Sequence, residues 1–209
     1  MAAPANDDTR DGPADGKGAQ TRQAILSAAI ARFGRDGYKT TKVADIARDA
    51  DVGNSLVYAY FPNKEALFEA ALDEDAAGVI QAGVALEGEG AIVGGLGTAL
   101  MTNLVGATES HPLARRVLAG LEPHATDRMM DIPALTELRK TVAEQLHAGQ
   151  LDGRVRTDHR PDVDGQRQQA TLALSLLMSM LQFGIDESFP YAEDVMGVFE
   201  AAVERPPEG

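Results

Sequence analysis

Apolar residues recur along this chain with helical spacing. Ile25, Ala29 and Phe33 repeat every four positions, with Leu26 and Ile30 beside them, which predicts one amphipathic helix. Arg22, Arg32 and Arg35 fall off that stripe, and Gly37 supplies a stop signal. Val43, Ile46, Ala47 and Ala50 follow the i, i+3, i+4, i+7 template, with Thr41 placed to cap that helix. A break at Asp51–Gly53 is followed by a short helix from Asn54 to Tyr60, expected to bury Leu56 and Val57. Leu67, Phe68, Ala71 and Leu72 then repeat the stripe behind Asn63, a good N-cap residue. Further helices are expected at about 91–109, 112–121, 133–149, 165–184 and 192–204. Pro112, Pro133, Pro161 and Pro190 stand near their starts, where proline is tolerated. No segment alternates like a strand, so the fold class is all-α.

Two short helices joined by a tight turn form a helix-turn-helix unit, whose second helix enters the DNA major groove. On the second helix Asn54 can bond base edges, and Ser55 bases or phosphates. Tyr58 and Tyr60 offer hydroxyls to phosphate oxygens, and Lys64 stands at the start of the next helix. Thr40, Thr41 and Lys42 are placed to grip the DNA backbone. The residue types alone also fit a hairpin that is only structural, with Asn54 and Ser55 as helix-start residues and the tyrosines partly buried.

Charge complicates this picture. The 209 residues hold 19 Lys and Arg against 32 Asp and Glu, a formal net charge of −13, which excludes a uniformly basic nucleic-acid binder. The charge is unevenly spread. Residues 1–16 are rich in Asp, Gly and Pro and predict a disordered acidic tail without the basic start or apolar run of a secretory signal. Residues 17–68 carry eight bases and five acids, and the acidic excess lies in 69–209. There is no cysteine, which excludes disulfides, thiolate metal sites and a cysteine nucleophile and fits a cytoplasmic protein. The uncharged stretch Gly90–Thr108 holds five Gly and lacks basic flanks, so a buried helix is expected rather than a membrane span.

No enzyme signature stands out. The chain has no Gly-x-Ser-x-Gly elbow, P-loop or His-Glu-x-x-His. Gly88, Gly90 and Gly94 have the wrong spacing for a dinucleotide fingerprint. The four His, at 111, 124, 147 and 159, lack close metal-ligand spacing. No cofactor and no catalytic residue is expected.

Residues 20–68 resemble the DNA-binding domain of the TetR family of bacterial transcriptional regulators. The likeness runs through Thr21-Arg22-Gln23-Ala24-Ile25-Leu26, Ala28-Ala29 and Phe33, then Gly37-Tyr38, Thr41, Val43, Ile46-Ala47, Ala50 and Val52. It closes on Tyr58, Tyr60-Phe61-Pro62 and Lys64-Glu65-Ala66-Leu67-Phe68. The stretch from Leu146 to Asp158 also resembles a link in the family's regulatory domain. Asp51 stands where the family usually has Gly, and a positive φ is expected there. Gly53 replaces a frequent Ser cap, Ser55 a frequent Gly, and Tyr60 a frequent His.

After the acidic tail at 1–16, the resemblance implies a DNA-binding domain at 17–68 and a helical regulatory domain at 69–209. It implies a homodimer held by the last two long helices, about 165–184 and 192–204. The dimer would place two recognition helices on a palindromic double-stranded operator. It also implies a small-molecule effector, with Met101, Leu104, Val105, His124, Met129, Met130, Met178 and Leu181 as candidate pocket residues. The reading is a ligand-released repressor, with an activator using the same contacts as one alternative. Another is a small-molecule-binding protein whose hairpin is structural.

Overall fold

The structure is a computed structural model and describes residues 13–85, 98–125, 131–153 and 155. Among these the regular elements are helices: α1 (Pro13–Asp36), α2 (Val43–Asp49), α3 (Asn54–Tyr60), α4 (Lys64–Ala85), α5 (Thr98–Ala107), α6 (Pro112–Leu118) and α7 (Pro133–Leu151). The all-α class is as expected. The predicted helices at 165–184 and 192–204 lie outside the described residues. Residues 13–16, expected in the tail, are instead the start of α1, where Pro13 takes the first helical position that its fixed φ suits. Among the described residues no helix is long and apolar enough to cross a membrane.

The helix ends follow from a few backbone positions. Gly37, at φ 81°, closes α1 by donating its N–H to Phe33 O at 2.9 Å. α4 begins with the Asn63 side chain, whose Oδ1 accepts the Ala66 N–H at 2.8 Å. α6 opens on Pro112, and its free N–H groups are capped from another helix. Asp75 of α4 accepts from the backbone N–H of Leu113 (2.9 Å) and Ala114 (2.8 Å), while its other oxygen lies 2.8 Å from His111 Nδ1. A buried carboxylate at a helix N-terminus is favoured by those donors and by the helix dipole.

One core joins the N-terminal helices to α6. Ile25, Leu26, Ala29 and Phe33 of α1 meet Ile46 and Ala47 of α2, Val57 of α3, Leu67, Phe68 and Leu72 of α4, and Leu113 and Val117 of α6. The predicted stripes of α1, α2 and α4 are therefore the buried faces. α4 runs unbroken through residue 68 and continues into the acidic half. α1 and α6 touch where Gly34 lets the backbone of Pro112 and Leu113 approach. Gly83 of α4 makes similar room for Leu104 of α5.

Candidate nucleic-acid interface

α2 ends in a Schellman turn built on Asp51. The Val52 N–H donates to Ala47 O at 2.9 Å and the Asp51 N–H to Arg48 O at 3.2 Å. Asp51 takes the left-handed residue of that turn at φ 54°, as expected from its place in the sequence. Gly53 then caps α3 with extended backbone and no side-chain bond. Its carbonyl accepts from the Leu56 N–H at 2.9 Å. The chain reverses over three residues, and α3 lies on α2.

α3 turns one residue inward. Val57 is 1% exposed, whereas Asn54, Ser55, Tyr58 and Ala59 face solvent. Leu56 does not pack inward as the apolar pattern led one to expect: it is 39% exposed. A helix of seven residues buries a narrow stripe centred on Val57, and position 56 lies about 100° around the helix from Val57. Tyr58 is 46% exposed. Tyr60 is half-buried against the core, and its hydroxyl faces Gly18 of α1.

The start of α2 divides the three residues assigned to it. Thr40 and Lys42 are exposed. Thr41 is buried and does not cap the helix. Its hydroxyl donates back to Gly37 O at 2.8 Å, and Lys42 occupies the N-cap position without a side-chain bond. A threonine hydroxyl prefers a nearby preceding carbonyl when its methyl is drawn into the core. Thr41 therefore brackets the α1–α2 turn instead of capping α2.

Charge on this unit is partly spent internally. Arg32 grips Asp49 with two bonds, Nη2 to Oδ1 at 2.9 Å and Nε to Oδ2. Arg35 pairs with Asp36, and Arg48 with Asp45. The bond to Asp49 raises the Arg32 pKa, and the Arg32 guanidinium holds Asp49 below the usual carboxylate range. Arg22 lies 5.3 Å over the Phe61 ring and Lys64 4.4 Å over the Tyr38 ring. Burial pushes the Lys64 ammonium below the usual lysine value, against the opposing pull of Glu122. Lys17, Lys39 and Lys42 are exposed and make no ion pair among the described residues. Lys39 was not singled out from the sequence, although it adjoins Thr40.

Tyr38 ties this unit to the segment after α6. Its ring packs against Phe33, Phe68 and His124, with ring centres 6.0, 5.1 and 4.8 Å away. Its backbone N–H donates to Glu122 Oε1 at 3.1 Å, and Arg116 Nε donates to the same oxygen at 2.7 Å. His124, expected in an effector pocket, packs its ring on Tyr38 and Phe68 with Nδ1 3.6 Å from Glu122. Glu122 and Arg116 carry no sequence signal of this role, because the contact spans 84 residues. Of the other pocket candidates, Met101 and Val105 lie on α5, and Leu104 is buried against Gly83. Met129, Met130, Met178 and Leu181 lie outside the described residues.

A short helix held outward on a second helix by a tight turn, within a three-helix core, defines a helix-turn-helix DNA-binding domain. Residues 25–71 match the family described as bacterial regulatory proteins, tetR family. The HTH-type transcriptional regulator HbdR of Aromatoleum sp. (strain CIB) is 44% identical over 46 residues, which is 22% of this chain. The match spans only 20% of the length of that curated relative. The fold likeness is broader. NalD of Pseudomonas aeruginosa, the secondary repressor of the MexAB-OprM multidrug efflux pump, aligns over 91% of this chain and 99% of its own, with TM-score 0.58 and 20% identity. A transcriptional regulator from Saccharomonospora viridis in complex with choline aligns over 90% of this chain and 100% of its own, with TM-score 0.58 and 20% identity.

Proposed function

We propose that this chain is a cytoplasmic, DNA-binding transcriptional regulator that acts as a ligand-released repressor. The observation that carries the reading is the outward face of α3, held on α2 by the Asp51 turn inside a TetR-family domain. Asn54, Ser55 and Tyr58 face the groove, while Thr40 and Lys42 engage the DNA backbone. Tyr60 and Lys64 act one step back. Tyr60 braces α1, and Lys64 releases its ring contact to reach a phosphate only when DNA is present.

A single seven-residue helix makes few base contacts. A homodimer reading two half-sites about 34–36 Å apart on a palindrome supplies the rest. The effector is a small molecule bound in the helical body, in the region of Met101, Leu104 and Val105. Its binding favours a dimer geometry in which the two α3 helices no longer match the operator. The fold likeness to a repressor and to a choline-bound regulator supports this division of labour. Glu122 and His124 link the body to Tyr38, beside the DNA-contacting turn.

The test is a gel shift of the full chain on palindromic fragments near its own gene, at several salt concentrations. A specific, salt-dependent shift supports the reading. The acidic body weakens binding to random DNA, so the salt slope is modest. A shift with equal affinity for every fragment, or none at all, contradicts it and favours a structural hairpin.

A further inference from the structure

The outward surface of α3 limits which bases it can read. Val57 points into the core, and each helical residue advances by 100°. Ser55 and Ala59 therefore stand opposite Val57, with Leu56 and Tyr58 on their two flanks, and all four are exposed. The helix sequence, NSLVYAY, contains no charged residue. In the major groove, guanine is read best by Arg or Lys on O6 and N7, and cytosine N4 by Asp or Glu. α3 offers none of these. It offers Asn54, the amide that pairs with adenine, and two exposed apolar groups, Leu56 and Ala59. The thymine 5-methyl is the one base-edge group in the major groove that favours an apolar partner.

From this surface we infer that α3 reads A·T pairs in each half-site, with Leu56 seated on a thymine 5-methyl group. The inference rests on the DNA-binding reading above and adds the base class and the residue that selects it. Leu56 is an aliphatic side chain that keeps 39% of its surface in water on the outer flank of α3. A methyl group that covers it removes that apolar area from water and so favours the complex. Ala59, one turn along the same face, leaves room for the base pair to approach.

The experiment selects duplexes bound by the full chain from a random library, then measures binding by fluorescence anisotropy. In the selected duplex each thymidine is replaced singly by deoxyuridine, which removes only the 5-methyl and preserves pairing. The expected result is a half-site with A·T pairs at the contacted positions. One deoxyuridine position in each half-site weakens binding about three- to tenfold, the effect of losing one methyl-sized apolar contact. In Leu56→Ala that position becomes indifferent to the methyl. Leu56 lies outside the core, and circular dichroism with thermal melting checks that the variant keeps its fold. A G·C half-site, or a selected duplex indifferent to every deoxyuridine, overturns the inference and leaves the regulator reading standing. A methyl effect that persists in Leu56→Ala overturns the assignment to Leu56. A library that yields no preferred duplex overturns the regulator reading and this inference with it.

Discussion

Glu122 Oε1 lies 3.1 Å from the Tyr38 N–H across 84 residues of chain, and the same oxygen accepts from Arg116 Nε at 2.7 Å. One buried carboxylate thus satisfies the backbone of the α1–α2 turn and neutralises a cation of α6. Glu122→Ala leaves both donors without that acceptor, and the expected loss is about 1–3 kcal/mol of unfolding free energy. Urea denaturation measures it. Glu122→Gln keeps an acceptor for Tyr38 and should lose less. A loss below about 0.5 kcal/mol for the alanine variant would show that the contact carries little weight.

Two glycines on α1 should respond oppositely to alanine. A Cβ at Gly34 would lie 2.7 Å from Pro112 Cβ and 2.9 Å from Leu113 N, where backbone must move. Gly34→Ala is expected to destabilise by about 1–3 kcal/mol. At Gly18 the nearest contact is the Tyr60 hydroxyl at 3.6 Å, an ordinary separation. Gly18→Ala should stabilise by about 0.5–1 kcal/mol through helix propensity. Thermal melts of the two variants test the crossing of α1 and α6, and equal shifts would contradict it.

Asp51 sits at φ 54°, a region that β-branched residues resist. Asp51→Val is expected to cost about 1–2 kcal/mol. Asp51→Gly should stay within about 0.5 kcal/mol of the parent, because relief of strain is offset by the greater freedom of glycine when unfolded. A valine variant as stable as the parent would remove the turn from the account.

The Arg32–Asp49 pair sets a pH dependence. Asp49 is held below the ordinary carboxylate value by the Arg32 guanidinium. Its contribution is therefore complete above the ordinary value, about 4, and is lost as pH falls through the lower folded-state value. The melting temperature should drop over that acidic window, and Asp49→Asn should make the profile shallower there. Parallel profiles for the two proteins would contradict the pairing.

Much of this arrangement was legible in the apolar spacing. The stripes Ile25-Ala29-Phe33 and Val43-Ile46-Ala47 are buried, α3 spans the residues read from the sequence, and Asp51 adopts the positive φ. Leu56 was misread because apolar periodicity assumes that apolar means inward, and a two-turn helix buries too narrow a stripe for that. Thr41 was misread because its hydroxyl has two local partners, the helix ahead and the carbonyl behind, and burial of its methyl decides between them. His124 and Glu122 were not legible in this role. Tyr38 lies 84 residues before Glu122, and the few residues after α6 carry no apolar periodicity to place them.

If the exposed face of α3 and the start of α2 recognise a particular DNA sequence, affinity must depend on that sequence and on their side chains. The most direct measurement is an anisotropy titration of the full chain on a library-selected duplex and on its scrambled counterpart, repeated with Tyr58→Ala and with Lys42→Ala. Binding to the selected duplex is expected to be at least about 10³-fold tighter. Tyr58→Ala should lose more than tenfold on it, while Lys42→Ala weakens both duplexes and lowers the salt slope. Equal affinity for the two duplexes, or a Tyr58→Ala protein that binds as the parent does, would contradict it.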